Sequence, residues 1–137
     1  MDFDKLKKEL IRDEGLKLKP YRCTAGKLTI GIGRNLDDKG ISEAEALVLL
    51  ENDISECVED CKAIFGTEWY KFSDARKRVF VNMRFNLGGG TFMTFKSMIN
   101  HAKRHEYEMV AYHMIHSRWR NQVGERAQRL IRMMREG

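Results

Sequence analysis

Two neighbouring stretches decide how the chain is read: Glu14-Gly15-Leu16-Lys17-Leu18-Lys19-Pro20-Tyr21-Arg22-Cys23-Thr24 and, three residues on, Leu28-Thr29-Ile30-Gly31-Ile32-Gly33-Arg34. The chain changes character at Glu14-Gly15. Before it, Leu6, Leu10 and Ile11 recur among charges, which predicts a short amphipathic helix over 4–13 with Gly15 as its stop. After it, Pro20, Gly26, Gly31 and Gly33 exclude a helix, while Tyr21, Thr24, Leu28, Thr29, Ile30 and Ile32 favour strands. A small antiparallel meander is expected over 17–35. Glu14 places an acid at the helix end, a thiol and hydroxyls follow on the strands, and side chains at the strand ends can face back toward the helix.

The rest of the chain reads as helical. Ser42 with Glu45 three residues later is a capping-box signature, and Ala46, Leu49, Leu50 and Ile54 recur at helical spacing behind it. A helix is expected from 42 to about 61. Ser73 or Asp74 can cap another that carries Val79, Phe80, Met83 and Leu87 and is ended by Gly88-Gly89-Gly90. Shorter helices are expected at 95–104 and 107–116, and a last one at 124–136. In that helix Ala127, Leu130, Ile131 and Met134 mark one face, and Arg126, Arg129, Arg132 and Arg135 lie mostly on the other. The expected class is α+β with segregated elements.

The chain has 137 residues, 42% hydrophobic and 33% charged, with one Pro and 11 Gly. That suits one domain, or two small lobes on a continuous chain, and leaves no room for long linkers. The net charge of +5 and a pI near 9.2 favour anionic partners, or serve solubility alone. The start, Met1-Asp2-Phe3-Asp4-Lys5-Leu6-Lys7-Lys8, does not read as a signal peptide, and no run approaches a membrane span. The expectation is a protein made in the cytoplasm with reduced Cys23, Cys57 and Cys61.

Together the two stretches resemble the active-site segment of phage lysozymes of the T-even coliphage type, glycoside hydrolase family 24. That family has a Glu-Gly helix end, then Asp or sometimes Cys, then Thr within Thr-Ile-Gly-x-Gly. Here nine residues separate Glu14 from Cys23 and six more reach Thr29, as in the family. Val81-Asn82-Met83 through Phe95 is similar to the family's central helix and following loop. Ser117-Arg118-Trp119-Arg120-Asn121-Gln122 with Arg126-Ala127 is similar to its Ser-Arg-Trp-x-Asn-Gln…Arg-Ala signature. The resemblance covers nearly the whole chain, with shortened stretches at about 36–41 and 62–73.

The resemblance implies a single lysozyme-like domain over 1–137. A small antiparallel sheet lobe (about 14–41) and a larger helical lobe (about 62–137, joined by the helix 4–13) would be connected by a helix (about 42–61), with a cleft between the lobes. It implies hydrolysis of the β-1,4 bond between N-acetylmuramic acid and N-acetylglucosamine in peptidoglycan. Glu14 would be the general acid, and Cys23 and Thr29 would position or activate water, in an inverting reaction. A helix C-terminus disfavours charge on Glu14, whereas Arg126, which matches the family's arginine partner of the acid, favours it. The Cys in place of the usual Asp is the main departure; a thiol acts best as thiolate, with a free pKa of about 8.5. The resemblance further suggests Gly33, Asn35, Phe85 and Asn86 as substrate-contacting positions and Trp119 as packing beneath them. It also suggests an Arg34–Asp53 ion pair, with Arg34 where the coliphage type has His. No cofactor or metal is implied. The expected partner is peptidoglycan, reached by a monomer released through a holin-made lesion, as in a phage endolysin, with neither nucleic acid nor stable membrane insertion involved.

Cys57/Cys61 and His101/His105 share helical spacing that suits paired zinc ligands, but the gap between the pairs is far longer than in a zinc finger. The Arg row of 124–136 supports a rival reading, a basic wall-, membrane- or nucleic-acid-binding module without catalysis. A catalytically dead wall-binding relative is a third, suggested by the Cys alone. Glu14 is what distinguishes an enzyme from either.

Overall fold

The computed structural model describes residues 1–137 and divides them into two compact units, Met1–Leu49 and Leu50–Gly137. The first unit begins with α1 (Phe3–Glu14). Asp2 caps it by accepting from the Lys5 amide at 3.0 Å, and Gly15, at φ 78°, ends it. Three strands follow, β1 (Lys17–Arg22), β2 (Leu28–Gly31) and β3 (Arg34–Asn35), in the antiparallel order β1-β2-β3. The meander expected over 17–35 is thus present.

Its register carries one irregularity. Arg22 pairs with Leu28 and Tyr21 with Thr29, but Lys17 is then opposite Gly31, so β1 bulges between Lys17 and Tyr21. Pro20 lies in that bulge and has no amide to donate to a ladder. Thr29 is the one buried residue in this unit, so hydrogen bonds and ion pairs, not an apolar core, hold the sheet. The Asp37 carboxylate accepts from the Leu28 amide at 2.7 Å and meets Arg22 at 3.4 Å. The Leu36 amide reaches the Leu28 carbonyl at 2.7 Å.

Helix α2 (Glu43–Phe65) starts where the capping box predicts. The Ser42 amide donates to Glu45 Oε1 at 3.0 Å, and the Glu45 amide donates to Ser42 Oγ at 3.1 Å. The helix runs four residues past the expected end. Cys57, Cys61 and Phe65, one turn apart, are its buried positions.

The second unit continues with a 3₁₀ turn (Gly66–Lys71), α3 (Asp74–Leu87, capped by Ser73), α4 (Gly89–Met93), α5 (Lys96–Lys103), α6 (Tyr107–Ile115), α7 (Arg118–Val123) and α8 (Glu125–Glu136). The core lies here. Phe65, Trp69, Phe72, Phe80 and Phe92 form an aromatic group, with Val79, Met83, Met114 and Met134 packed around it. Arg84 bridges α3 to α2 through Asp60 at 2.7 Å.

Two expectations change. Gly88 does end α3, but Gly89 and Gly90 begin α4 instead of a loop; Gly89 lies so close to Asp60 and Arg84 that a Cβ there would be 3.4 Å from each. Ser117 caps a short helix α7, read from sequence only as part of a motif, by accepting from the Arg120 amide at 3.3 Å. Helix α1 falls within Met1–Leu49. None of its residues is buried, so its own amphipathic stripe is no guide to where it groups.

Candidate active site

Cys23 opens the β1–β2 turn. Its amide donates to the Lys27 carbonyl at 3.0 Å, and its carbonyl accepts from the Gly26 amide at 2.8 Å. Gly26 has φ +77°, so the connection is a tight turn with a glycine in the left-handed region, a conformation that a side chain would strain. Strand alternation places Cys23 on the same face as Tyr21, and Thr29 is Tyr21's cross-strand partner. Cys23 and Thr29 are therefore diagonal neighbours on one face of the hairpin.

The thiol and the hydroxyl interact. The Cys23 pKa is lowered, first by the Lys27 backbone and then by Ala25, with a further contribution from the Thr29 side chain. Thr29 is 4% exposed, and its hydroxyl donates to the Lys27 carbonyl at 2.9 Å. A hydroxyl has one proton and two lone pairs. Thr29 can accept from the thiol while bonded to Lys27, or turn to donate to the thiolate, but it cannot donate to both. The pair is a compact acceptor group suited to holding a polar ligand.

The other two thiols differ. Burial raises the Cys57 pKa and pushes Cys61 up to about 12. No group of three or more His, Cys, Asp or Glu is arranged to hold a metal ion. The four residues singled out for a zinc site are engaged elsewhere: Cys57 and Cys61 are buried on α2, His101 stacks on His113, and His105 bonds to Glu68 at 2.7 Å and Tyr107 at 2.6 Å.

Glu14 is the last residue of α1, at the helix end where carbonyls point outward. Its carboxylate lies against Gly33: a Cβ on Gly33 would be 2.8 Å from Oε2 and 3.0 Å from Cδ. Gly33 also has φ +67°. It is thus required twice, for its backbone conformation and for the approach of the acid. The sequence suggested Gly33 as a sugar contact; the structure puts it beneath Glu14.

Asn35, also suggested as a sugar contact, bonds its side-chain amide to Asp38. Its Oδ1 accepts from the Asp38 amide at 2.9 Å, and its Nδ2 donates to Asp38 Oδ2 at 3.0 Å. The expected Arg34–Asp53 pair is corrected. Arg34 Nη1 donates to Glu45 Oε1 at 2.8 Å and to the Gly40 carbonyl at 3.2 Å. Glu45 precedes Asp53 by eight residues, about 12 Å along the helix axis, and sits at the helix start that the turn before α2 brings to Arg34. With Arg34 first and Ser42 second, these donors lower the Glu45 pKa to about 2.

The remaining suggested residues belong to the second unit. Phe85 lines a pocket of about 800 Å³ together with Trp69, Asn82, Arg126 and Leu130. Arg126 Nε donates to Asn82 Oδ1 at 2.8 Å, and Nη2 to the Asn82 carbonyl at 3.4 Å. Asn86 Oδ1 accepts from the Trp119 indole at 2.9 Å. Trp119 itself is buried, so Asn86 satisfies a polar group that would otherwise be orphaned. Asn82, Asp37 and the second role of Glu45 were not found by sequence reasoning. Only Glu45 left a signal, its capping spacing, and that gave no hint of Arg34.

With this geometry in place, similarity to known proteins becomes decisive. The profile of the family described as Phage lysozyme matches residues 12–136. The chain belongs to the phage lysozyme family. It is 28% identical to Probable T4-type lysozyme 1 of Dictyostelium discoideum over 96% of this chain and 94% of that protein. It is 26% identical to Probable T4-type lysozyme 2 of the same organism, with the same coverage of both. It is also 27% identical to the Pre-baseplate central spike protein Gp5 of Enterobacteria phage T4, over 93% of this chain but 27% of that longer protein. Family membership, together with a small antiparallel sheet and a larger helical assembly, carries lysozyme-type glycoside hydrolysis in general.

Proposed function

We propose that this chain is an N-acetylmuramidase that hydrolyses the β-1,4 bond between N-acetylmuramic acid and N-acetylglucosamine in peptidoglycan. Glu14 is the general acid: it protonates the leaving oxygen as positive charge builds on the sugar. Cys23 and Thr29 hold the attacking water on the opposite side of the ring and direct its lone pair at the anomeric carbon. The Cys23–Thr29 interaction carries this reading, because a thiol stabilised toward thiolate beside a hydroxyl can take over the water-holding role of a carboxylate. Arg126, held by Asn82, is proposed to support the acid. We further propose that the protein acts as an endolysin. It would be made in the host cytoplasm as a monomer and reach the wall once a holin has permeabilised the membrane.

The test compares the wild type with Glu14→Gln and Cys23→Ala on permeabilised and intact Gram-negative cells, with mass spectrometry of the fragments. Lysis of permeabilised cells only, with muramic acid at the reducing ends, is expected from the wild type. Glu14→Gln is expected to lose activity by at least a hundredfold, in line with the usual worth of an acid catalyst, about 10²–10⁴-fold. Full activity in Cys23→Ala removes Cys23 from the mechanism. Anhydro ends mean transglycosylation instead. Equal lysis by wild type and Glu14→Gln without glycan fragments transfers the activity to a non-catalytic basic surface.

A further inference from the structure

The arginines near the C-terminus fall into two groups that helical periodicity alone did not separate. Ser117–Gly137 holds six Arg, two Glu and no Lys. Positions three apart on a helix drift by about 60° at each step, so the Arg row of α8 spirals around the axis. Arg126 and Arg129 line the pocket that holds Phe85. Arg132 and Arg135 line a different groove, of about 570 Å³, together with Arg120 of α7. Ile115 of α6 and Ile131 of α8 give it an apolar floor.

Within the chain this groove is poorly neutralised. Arg120 and Arg132 have no carboxylate within ion-pair distance, while Arg135 meets Glu108 at 3.4 Å across an exposed surface. Glu136 is the one acid in the lining. Arg120 and Arg132, unpaired, and Arg135, shared with Glu108, face Glu136 alone within the lining, so the groove keeps a net positive charge that suits an anionic ligand. The exclusive use of Arg suits phosphate, because the planar fork matches phosphate oxygens two at a time and an ammonium does not.

Two observations narrow the partner. The apolar side of α8 is already committed, since Ala127, Leu130, Ile131 and Met134 are buried in the core, so the folded helix has no apolar face to insert into a bilayer. No aromatic ring lines the groove, so it lacks the stacking platform that single-stranded nucleic acid uses. We propose that the groove among α6, α7 and α8 is a docking site for an anionic envelope polymer of repeating phosphodiesters, such as a polyol phosphate. This site goes beyond the hydrolytic reading and does not depend on Glu14. On a wall that carries such a polymer, it would hold the enzyme in place between cleavages.

The experiment uses fluorescently labelled oligo(glycerol phosphate) and follows its anisotropy with the full chain at 50 mM and 200 mM salt. Arg120→Gln/Arg132→Gln is expected to weaken binding at least tenfold and to reduce the salt dependence by about one counterion for each arginine replaced. Arg120→Lys/Arg132→Lys keeps the charge and controls for folding. It is expected to recover less than half of the lost binding free energy, because the fork is missing. A polyglutamate of equal charge is expected to bind at least tenfold more weakly than the phosphate polymer. Smaller losses in the glutamine pair, full recovery by lysine, or equal binding of polyglutamate each overturn the proposal. So does tighter binding to vesicles of equal parts phosphatidylglycerol and phosphatidylcholine than to the polymer, which would make the partner a bilayer.

Discussion

Three cysteines of one chain have three different surroundings, and their chemistry diverges accordingly. Cys23 is half-buried at a turn whose backbone lowers its pKa, whereas Cys57 and Cys61 are buried on α2 and have raised values. Thiolate is the reactive species. A thiol-selective alkylating reagent at neutral pH is therefore expected to label Cys23 at once and the other two only after unfolding; mass mapping of the adducts checks this, and early labelling at Cys57 or Cys61 contradicts the buried placement. Spacing shared with the phage lysozyme family made Glu14, Cys23 and Thr29 candidates. It did not show that Gly33 carries the acid against its Cα, or that Asn35 is occupied by Asp38. Both facts depend on chain reversals that spacing does not describe.

At the scale of elements, the start of α2 joins helix and sheet. Glu45 closes the capping box with Ser42 and pairs with Arg34 of β3. Its pKa falls to about 2 in the folded chain, against about 4.3 for a free Glu. A depressed carboxylate adds stability above the unfolded value and loses it as pH falls through the folded one. Wild type is thus expected to lose this contribution between about pH 4.5 and 2. Glu45→Gln should start less stable at pH 6 and show a flatter decline across that window. Urea midpoints measured at half-unit pH steps compare the two; parallel curves exclude the linkage. The capping box was legible because its partners are three residues apart. The Arg34 partner was misassigned to Asp53 because sequence gives no measure of where a turn delivers a strand end along a helix.

For the whole molecule, the burial is uneven. The core residues all lie between Cys57 and Met134, whereas Met1–Leu49 buries Thr29 alone. Regions with few buried apolar contacts open at lower free energy than the global transition. Native-state hydrogen exchange is expected to show slow, globally limited amides at Val79–Met83 and Val110–Met114, and faster, locally limited exchange at Leu28–Ile30. Equal protection of the two sets would overturn this ordering. Phe80 is fully buried among Phe65 and Phe72, and Phe80→Ala is expected to cost about 3–5 kcal/mol, read as a fall in the denaturant midpoint.

The sequence by itself determined the class and order of elements: an amphipathic helix, a glycine-broken meander, a capped long helix and a helical remainder. Those features follow from local propensity and from periods of two and 3.6, which need no knowledge of distant contacts. It also marked the acid, the thiol and the hydroxyl, through spacing shared with a family. Only the tertiary structure decided the contacts made at long range. Among these are Gly33 beneath Glu14, Glu45 in place of Asp53, Asn86 beneath Trp119, Asn82 on Arg126, and the division of the arginine row between two grooves. The physical reason is common to all of them. A side chain's partner is set by where turns bring separate elements together, and the energies that choose among partners act through space and not along the chain.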